Sequence, residues 1–403
     1  MIDKNNGLKP LFIVRYNEIA LKGKNRGFFE EMLANDIRSR FAAQLIDCSV
    51  RKTRGRIYIY SSAPDEKTSS LLETIPGIAS YSQGYELEKQ TDFFKQASQA
   101  VRLLTAPFEN FSFKIEARRE DKTFPFDSMQ LCRDFGGFLL EIFPAARVDV
   151  HNPEKFIELE IRDCIYISIG KTRACGGLPG GSTGKIMLLL SGGIDSPVAG
   201  KMLAVRGISL YALHFSSYPF TSRESEEKVI SLARALSRFS PNLRLFISNI
   251  LPVQKQIRAC CEEKYHTVIL RRCMMKIACL TAVQNEIPAL ATGESIGQVA
   301  SQTLESISCS NAASSLPVLR PCIALNKDEI IDQAKKIGTF NLSIIPHDDC
   351  CTLFSPPNPS TKPRLQDIIN NEKMIPELDL LLDQCHKTVR EEILLSPETA
   401  QSV

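Results

Sequence analysis

Residues 186–196 read Ile-Met-Leu-Leu-Leu-Ser-Gly-Gly-Ile-Asp-Ser, and this stretch decides the fold of the part of the chain around it. The apolar run 186–190 predicts a strand that is buried on both faces. The serine and two glycines at 191–193 end that strand, and Pro197 predicts the first turn of a helix. At such a junction, free backbone N–H groups and the positive helix end point at one place. The stretch therefore predicts an anion site.

The two glycines let an anion approach the backbone, and the hydroxyls of Ser191 and Ser196 are expected to be further donors. A Walker-type loop is excluded, because Ile165 and Pro179 stand where its first glycine would precede the Gly-Lys pairs at 170 and 184. The stretch resembles instead the pyrophosphate loop (PP-loop) of the N-type ATP pyrophosphatases, which split ATP into AMP and pyrophosphate. An ordinary glycine turn between a core strand and a helix is the structural alternative.

Composition limits the class of protein. With 403 residues and 43% hydrophobic residues, the chain is expected to form two or three domains. No apolar run approaches the ~18 residues of a membrane span, and residues 1–6 lack the apolar region of a signal peptide. We therefore expect a cytoplasmic protein without a membrane partner. The thirteen cysteines are an odd number scattered in a long chain without secretory context, so no disulfide framework is predicted. They include no Cys-x-x-Cys pair, so no zinc ribbon is predicted.

Charge is distributed unevenly along the chain. The net charge is only +3, but residues 1–60 carry 12 Lys/Arg against 6 Asp/Glu, a local net charge of +6. A basic front on a nearly neutral chain indicates a polyanionic partner.

The first 170 residues predict two small α+β units. The predicted elements of the first unit, residues 1–77, are a strand at 11–16, a helix at 27–45, a strand at 56–60 and a helix at 69–75, which is a ferredoxin-like pattern. Those of the second, residues 78–170, are a helix at 91–104, a strand at 111–117, a helix at 128–142 and strands at 156–161 and 164–169 joined by a two-residue turn. Residues 171–184 contain five glycines and are predicted to be a linker.

From residue 185 to 403, strands and helices alternate, which predicts a Rossmann-like parallel sheet with helices on both faces. The predicted elements lie at 186–190, 197–206, 208–214, 223–239, 243–248, 253–264, 268–285 and 288–292. Because ligands bind beyond the carboxyl ends of such strands, His214-Phe215 and residues 292–294 are expected at the same edge as the loop. Asn326 and Glu329 predict a capping box, opening a helix that ends at Gly338.

Over nearly its whole length the sequence resembles the tRNA 4-thiouridine synthase, or thiamine-biosynthesis sulfurtransferase, family. The blocks that carry the resemblance are residues 14–26, 114–122, 188–200, 291–306 and 350–354. It implies an N-terminal ferredoxin-like domain, an RNA-binding THUMP domain and a PP-loop (adenine nucleotide alpha hydrolase-like) domain. Some members add a rhodanese domain with a persulfide cysteine, which we do not expect in a chain that stops at Val403.

The resemblance also implies the chemistry. With ATP and Mg²⁺ as cofactors, such an enzyme adenylates a tRNA uridine at O4 and then replaces that oxygen with sulfur. Asp195 is expected to be essential for adenylation through Mg²⁺. The implied ATP-binding residues are Leu189, Leu190, Ser191, Gly192, Gly193, Ser196, His214, Phe215, Arg271, Gly293 and Gln302. Structural roles are the alternatives for several of these, and neighbouring Arg272 is the alternative to Arg271.

One of Cys350 and Cys351 matches the cysteine with which the family handles sulfur, and an exposed loop would suit that role. The resemblance implies a persulfide delivered by a cysteine desulfurase, with the thiamine sulfur-carrier protein as a further partner and a homodimer as the common assembly. Cys273 and Cys279 lack Cys-x-x-Cys spacing, so no iron–sulfur cluster or other protein-held metal site is predicted.

A set of basic residues in the first 122 positions supplies the candidate RNA phosphate contacts. They are Arg15, Lys22, Lys24, Arg26, Arg51, Lys52, Arg54, Arg56, Arg118, Arg119 and Lys122. Two other functions remain open at this point: an amide-forming or other tRNA-thiolating ATP pyrophosphatase, and a tRNA-binding protein with a vestigial nucleotide fold. The basic front and the paired cysteines disfavour amide formation, and the intact loop disfavours the vestigial fold.

Overall fold

The computed structural model describes residues 7–63, 65–108, 110–346, 350 and 356–394. The chain divides into two compact units, Met1–Pro179 and Gly180–Val403. This division falls within the predicted linker; the domain boundaries themselves stay predictions. Among the described residues, no helix has both the length and the apolar character that crossing a membrane requires.

The described residues of the first unit form one eight-stranded sheet with four α-helices. Its strands are β1 (Lys9–Arg15), β2 (Cys48–Thr53), β3 (Arg56–Ser61), β4 (Ser80–Leu87), β5 (Ser112–Arg119), β6 (Arg147–Val148), β7 (Lys155–Ile161) and β8 (Ile165–Arg173). Its helices are α1 (Arg26–Ala43), α2 (Asp65–Thr74), α3 (Phe94–Thr105) and α4 (Ser128–Ile142). The strand order is β2-β3-β1-β4-β8-β7-β5-β6, so one sheet runs through both predicted α+β units.

Each pair of helices covers its own apolar core on this sheet. Leu33, Ile37 and Phe41 of α1 belong to a cluster with residues of β1 and β3, whereas α3 and α4 pack over β5, β7 and β8. A ferredoxin-like half and a second α+β half are therefore both present.

Several details of the first unit differ from the sequence-based prediction. Strands β2, β4 and β6 were not predicted; in β4, the buried polar residues Ser82 and Glu86 interrupt the apolar pattern. The turn between β7 and β8 has three residues rather than two, since Ile161 pairs with Ile165.

The second unit contains the predicted parallel sheet. Its strands are β9 (Lys185–Leu189), β10 (Ser209–Ser216), β11 (Arg244–Asn249), β12 (Leu290–Ala291), β13 (Val318–Leu319) and β14 (Arg390–Glu392). Its helices are α5 (Asp195–Val205), α6 (Arg223–Ser237), α7 (Leu251–Cys260), α8 (His266–Gln284), α9 (Leu304–Asn311), α10 (Lys327–Ile337), α11 (Phe340–Ser343), α12 (Leu365–Glu372) and α13 (Leu378–Lys387). Among the strands that the structure describes in this unit, only β14, an edge strand that the sequence did not predict, runs antiparallel to its neighbour.

The order β13-β12-β9-β10-β11-β14 makes β9 a switch point of the sheet. From β9 the chain continues to β10 on one side and later returns to β12 on the other, so the crossover helices diverge at the carboxyl end of β9. Ligands of doubly wound sheets bind at this place. The loop after β9 therefore has the position expected of a binding site.

Helix α10 begins and ends as predicted. The Asn326 side chain accepts the Glu329 N–H at 2.9 Å, and the Glu329 carboxylate accepts the Asn326 N–H at 2.9 Å. Gly338 closes the helix with φ of 77°, in the left-handed region that glycine tolerates best. The capping box fixes the first residue of this helix, Lys327.

Candidate nucleotide site

The loop between β9 and α5 is closed by its own two serines. The Ser191 N–H donates to Ser196 Oγ at 3.0 Å, and Ser196 Oγ donates to the Ser191 carbonyl at 3.3 Å. The Gly193 N–H donates to Ser191 Oγ at 3.3 Å. These two hydroxyls therefore hold the shape of the loop, and their role as donors to an anion stays a prediction. Backbone N–H groups at the start of α5 are then the donors left for a phosphate, since no described side chain caps this helix.

Gly293 packs against the first turn of α5. A Cβ atom placed on Gly293 would lie 2.5 Å from the Ser196 nitrogen and 2.6 Å from its Cα, closer than two such atoms can approach. Only glycine allows the segment after β12 to lie this close to the loop. The structure therefore brings together Gly293 and Ser196, two of the predicted site residues.

Asp195 forms an ion pair with a lysine that the sequence did not single out. Its Oδ1 atom lies 2.7 Å from Lys327 Nζ, which also lies 3.4 Å from Gln298 Oε1. Both side chains keep contact with solvent, at 22% exposure for Asp195 and 45% for Lys327. Residues 326–329 were predicted only as the start of a helix. The available signal for a role of Lys327 at the site was its position as the first residue of a helix that begins at this sheet edge. A partly exposed cation thus lies beside the loop.

A buried carboxylate, Glu294, organises two arginines at the same edge. It is ion-paired with Arg271, accepts Nε of Arg320 at 2.7 Å, and accepts the Thr292 hydroxyl at 2.7 Å. Burial alone would raise the pKa of Glu294, but Arg271 and Arg320 lower it below its usual value. Two cations around one anion leave an excess positive charge, which favours phosphate.

Arg271 and Arg272 have different roles. The Arg271 guanidinium also donates to the Ser301 carbonyl at 2.8 Å. Arg272 is buried and donates to Glu372 at 2.6 and 3.1 Å and to the Cys309 carbonyl at 2.6 Å. Arg272 is thus held in the interior by Glu372, whereas Arg271 lies with Glu294 at the nucleotide edge, and its contact with a phosphate stays a prediction.

Several buried polar atoms near Glu294 and its arginines are available to a polar ligand. Within the described residues, Gln298 Nε2, Gln302 Oε1 and Arg320 Nη2 are buried without a hydrogen-bond partner. Buried polar atoms in folded proteins are normally paired with protein, water or ligand. This arrangement fits a polar ligand such as a nucleotide.

His214 and Phe215 lie inside β10 rather than after it. The Nδ1 atom of His214 is 3.0 Å from the Leu190 carbonyl, so the imidazole holds the residue that follows β9. Phe215 is buried in the apolar cluster of this unit, and Leu189 packs against that cluster. The predicted contacts of Leu189 and Leu190 with the nucleotide, and of His214 and Phe215 with adenine, stay predictions. The observed contacts of these residues position the strand ends.

Cys350 is buried, in contrast to the expected exposed loop. Its exposure is 7%, and it belongs to the apolar cluster of the second unit. Its carbonyl accepts Nε2 of the buried Gln254 at 2.7 Å. Cys351, together with His347 and Asp349, lies outside the described residues.

Cys273 and Cys322 of this unit are poorly suited to a nucleophilic role. Burial raises the pKa of Cys273 to about 12, and burial beside Asp195 raises the pKa of Cys322 to about 12. A thiol with so high a pKa is rarely a thiolate at neutral pH. No group of three His, Cys, Asp or Glu side chains among the described residues is arranged to hold a metal ion.

The basic front of the chain is divided between the interior and the surface of the first unit. Arg15 is buried, ion-paired with Glu158 and bonded to Ser82 Oγ at 2.9 Å. Arg56 is paired with the buried Glu160 at 2.5 Å. These two arginines, which we expected at an RNA interface, are internal ion-pair partners.

Several other basic side chains are partly engaged at the surface. Their partners are Glu86 and Asp163 for Arg51, Glu31 for Lys52, Glu30 and Tyr16 for Arg26, the Phe29 ring for Lys22, Glu116 for Arg118, and the Phe124 and Phe126 carbonyls for Arg119. Lys24, Arg54 and Lys122 are exposed. An open cavity of about 570 Å³ is lined by Arg26, Lys52 and Arg54 among others, and such a basic cleft suits a phosphate backbone.

A phosphate loop at the switch point of a parallel sheet, with cations on the neighbouring segments, defines a nucleotide-binding α/β enzyme. Comparison with known sequences agrees with this class. Residues 11–82 match the ThiI ferredoxin-like domain, residues 91–169 match the THUMP domain, and residues 181–376 match the family "Thiamine biosynthesis protein (ThiI)". The first and second matches confirm the ferredoxin-like and THUMP predictions.

Curated relatives match over most of the chain. The probable tRNA sulfurtransferase of Alkaliphilus oremlandii is 44% identical over 372 residues, which cover 91% of this chain and 94% of the relative. That of Moorella thermoacetica is also 44% identical over 372 residues, covering 92% and 94%. The chain therefore belongs to the tRNA sulfurtransferase (ThiI) family, as the sequence motifs predicted.

Solved structures extend the comparison to the fold. A 4-thiouridine synthetase crystallised with RNA and bound ATP has a TM-score of 0.87 at 35% identity, covering 95% of this chain and 99% of that one. The protein PH1313 from Pyrococcus horikoshii has a TM-score of 0.64 at 24% identity, covering 82% and 99%, and shows the fold alone.

Proposed function

We propose that this chain is an ATP-dependent tRNA sulfurtransferase that converts a tRNA uridine into 4-thiouridine. The observation that carries the proposal is the 35% identity, over 95% of this chain, to a 4-thiouridine synthetase bound to RNA and ATP. Because the similarity includes both units, the parts suited to RNA and to a nucleotide occur in one chain.

The first step transfers AMP to the base. A uridine carbonyl oxygen is a poor leaving group, so O4 attacks the α-phosphorus of ATP and pyrophosphate departs. Charge develops on the transferred phosphorus and on pyrophosphate, and preorganised donors stabilise such charge most effectively. The α5 N–H groups, Lys327 and Arg271 supply those donors, while Asp195 positions Lys327 through their 2.7 Å ion pair.

The residues present fit Mg²⁺ delivered with ATP. Asp195 is the acidic residue of the 190–196 loop, and Mg²⁺ in nucleotide sites commonly takes one or two carboxylates together with phosphate oxygens. When bound, the ion would neutralise phosphate charge. The Asp195 carboxylate would then contact both the ion and Lys327.

The second step replaces the activated oxygen with sulfur. The terminal sulfur of a persulfide on Cys350 or Cys351 attacks C4, and AMP leaves with the electron pair of the carbon–oxygen bond. The resulting disulfide between protein and base is cleaved by a thiol, which releases 4-thiouridine and itself becomes part of a disulfide. We favour Cys350 because Gln254 anchors its backbone beside β10.

The partners follow from this chemistry. A cysteine desulfurase supplies the persulfide, and tRNA, found in the cytoplasm, is the acceptor. Supply of sulfur to the thiamine sulfur-carrier protein and assembly as a homodimer are further parts of the proposal. Lys24, Arg54 and Lys122 are the first candidates for RNA phosphates, because they are exposed.

Nucleoside analysis of tRNA tests this function. tRNA is digested from cells with and without the gene, and 4-thiouridine should be found only in the cells that have it. Cys350→Ser should accumulate adenylated tRNA without thionucleoside, and Cys351→Ser provides the matched comparison. Loss of thiolation with Cys351→Ser alone would transfer the sulfur role to Cys351. Unchanged 4-thiouridine in the deleted strain would contradict the proposal.

A further inference from the structure

Two aromatic side chains are exposed on the turn that follows β10. Tyr218 is 48% exposed and Phe220 is 53% exposed, in a turn formed by residues 217–221. Single exposed apolar residues are common and by themselves mean little. What distinguishes this pair is the place and the rigidity of the turn, which lies at the carboxyl edge of the parallel sheet where the phosphate loop also lies.

The turn is held by hydrogen bonds. The Ser217 N–H donates to Thr221 Oγ1 at 3.1 Å, and the Phe220 N–H donates to the Ser217 carbonyl at 2.8 Å. Asn249, at the end of β11, donates from Nδ2 to the Tyr218 carbonyl at 2.9 Å. The two rings are therefore presented by a braced segment, which reduces the entropic cost when something stacks on them.

The same turn is connected both to the segment of Cys350 and to the phosphate loop. Ser217 Oγ donates to Gln254 Oε1 at 2.6 Å, and Gln254 Nε2 donates to the Cys350 carbonyl at 2.7 Å. Three residues before Ser217, His214 contacts the Leu190 carbonyl at the start of the phosphate loop. The turn thus follows the strand whose His214 contacts the nucleotide loop. The Gln254 side chain links the turn to the segment that contains Cys350.

Cations accompany the rings. The Arg223 guanidinium carbon lies 5.9 Å from the Tyr218 ring centre, and Lys255 Nζ lies 5.7 Å from the Phe220 ring centre. Aromatic rings beside cations are the combination that binds single-stranded nucleic acid, where bases stack and phosphates pair with charge.

We propose that Tyr218 and Phe220 form the platform on which the extruded target uridine stacks during adenylation and thiolation. The inference rests on the proposed function. A base inside folded tRNA cannot meet ATP on one side and a persulfide on the other, so the uridine must leave its stack. Stacking on the two rings offsets the energy of that extrusion, and Arg223 and Lys255 neutralise the phosphates next to the base.

The test measures the rate of adenylation of unmodified tRNA by the full-length protein under single-turnover conditions. Tyr218→Ala and Phe220→Ala should each slow this reaction by about tenfold to a hundredfold. ATP affinity should change less than about twofold, because the phosphate loop is untouched. Tyr218→Phe should react like the wild type and Tyr218→Leu like Tyr218→Ala, since stacking requires a ring. Val283→Ala, which alters an exposed apolar residue of α8, is the control and should have no effect.

A second measurement reports stacking directly. A tRNA carrying the fluorescent pyrimidine pyrrolocytosine at the target position should be quenched on binding to the wild type and to Tyr218→Phe, but much less on binding to Tyr218→Leu. Equal rates and equal quenching for Tyr218→Phe and Tyr218→Leu would overturn the inference. So would variants that adenylate tRNA normally but no longer accept sulfur from a desulfurase, because the rings would then bind that protein. If the wild type itself never adenylates tRNA, the proposed function fails first.

Discussion

The two units use ion pairs for opposite purposes. In the first unit, Arg15 and Glu158 lie almost entirely inside the sheet, with 10% and 3% of their side chains exposed. In the second unit, Lys327 and Asp195 meet at the loop edge with 45% and 22% exposed. A buried pair is costly to break because the remaining charge stays desolvated, whereas an exposed pair contributes little to stability and can be exchanged for another ion. The first pair therefore supports the fold, and the second is available to a phosphate.

Replacing Asp195 should give the largest effect on activity with little effect on stability. Asp195→Ala and Lys327→Ala should each lower adenylation of tRNA by about a hundredfold or more, because charge stabilisation at phosphorus is lost. The free energy of unfolding should change by less than about 1 kcal/mol. Asp383→Ala breaks an exposed pair with Lys387 in the same unit and should leave both quantities unchanged. Full activity of Asp195→Ala would remove it from the site.

Replacing Glu158 should give the reverse result. Glu158→Gln leaves Arg15 buried without its counter-ion and Lys171 without its 2.6 Å partner, so the first unit should lose about 3–5 kcal/mol of stability. Urea unfolding monitored in this unit measures the loss, and ATP affinity should stay constant. Glu116→Gln, which breaks the more exposed pair with Arg118, should cost less than about 1 kcal/mol. Equal stability of the two variants would contradict the comparison.

Glu294 lies between these extremes, because it is buried but organises the nucleotide edge. Glu294→Gln should weaken ATP binding by about tenfold and leave adenosine binding nearly unchanged, since adenosine lacks the phosphates. Glu372→Gln, which disturbs the buried partner of Arg272, is the matched control and should leave the ratio of ATP to adenosine affinity as in the wild type. A similar loss of ATP and adenosine affinity in Glu294→Gln would indicate a purely structural role.

The same carboxylate predicts a pH dependence. The pKa of Glu294 is lower in the folded protein than its ordinary value, so its stabilisation is complete above the unfolded-state pKa of about 4.3 and is lost as the pH falls through the folded value. Acid should therefore destabilise the wild type more steeply than Glu294→Gln below about pH 4. If the free energy of unfolding fell equally with pH in the two proteins, the arginines would not be lowering the pKa of this carboxylate.

The smallest expected effect concerns the exposed cations of the first unit. Lys24→Ala combined with Arg54→Ala should flatten the dependence of tRNA affinity on salt, because each phosphate ion pair that is removed lowers the slope against the logarithm of salt concentration by about one. Lys67→Ala, an exposed lysine of α2 outside the candidate set, should keep the wild-type slope. An unchanged slope in the double variant would place the RNA elsewhere.

Local patterns carried most of the correct predictions. The phosphate loop, the alternating strands and helices of the second unit, and the Asn326 capping box depend on neighbours in sequence, and the structure has them where they were expected. Helix α4 has the predicted bounds, Ser128–Ile142.

The features that escaped prediction depend on distant partners. Arg15 looks like a phosphate contact until Glu158, far along the chain, is seen to bury it. Cys350 lies in a polar segment, yet it packs into the apolar cluster of the second unit. Lys327 was predicted only as part of a helix start, because its ion pair with Asp195 joins two segments that are far apart in the sequence.

The most direct test of the account follows the phosphates of ATP. Protein carrying Cys350→Ser is incubated with unmodified tRNA and ATP labelled at either the α- or the γ-phosphate. The α label should enter tRNA, while the γ label should be released as pyrophosphate. Transfer of the γ label to tRNA, or release of labelled orthophosphate without any α label in tRNA, would contradict this expectation.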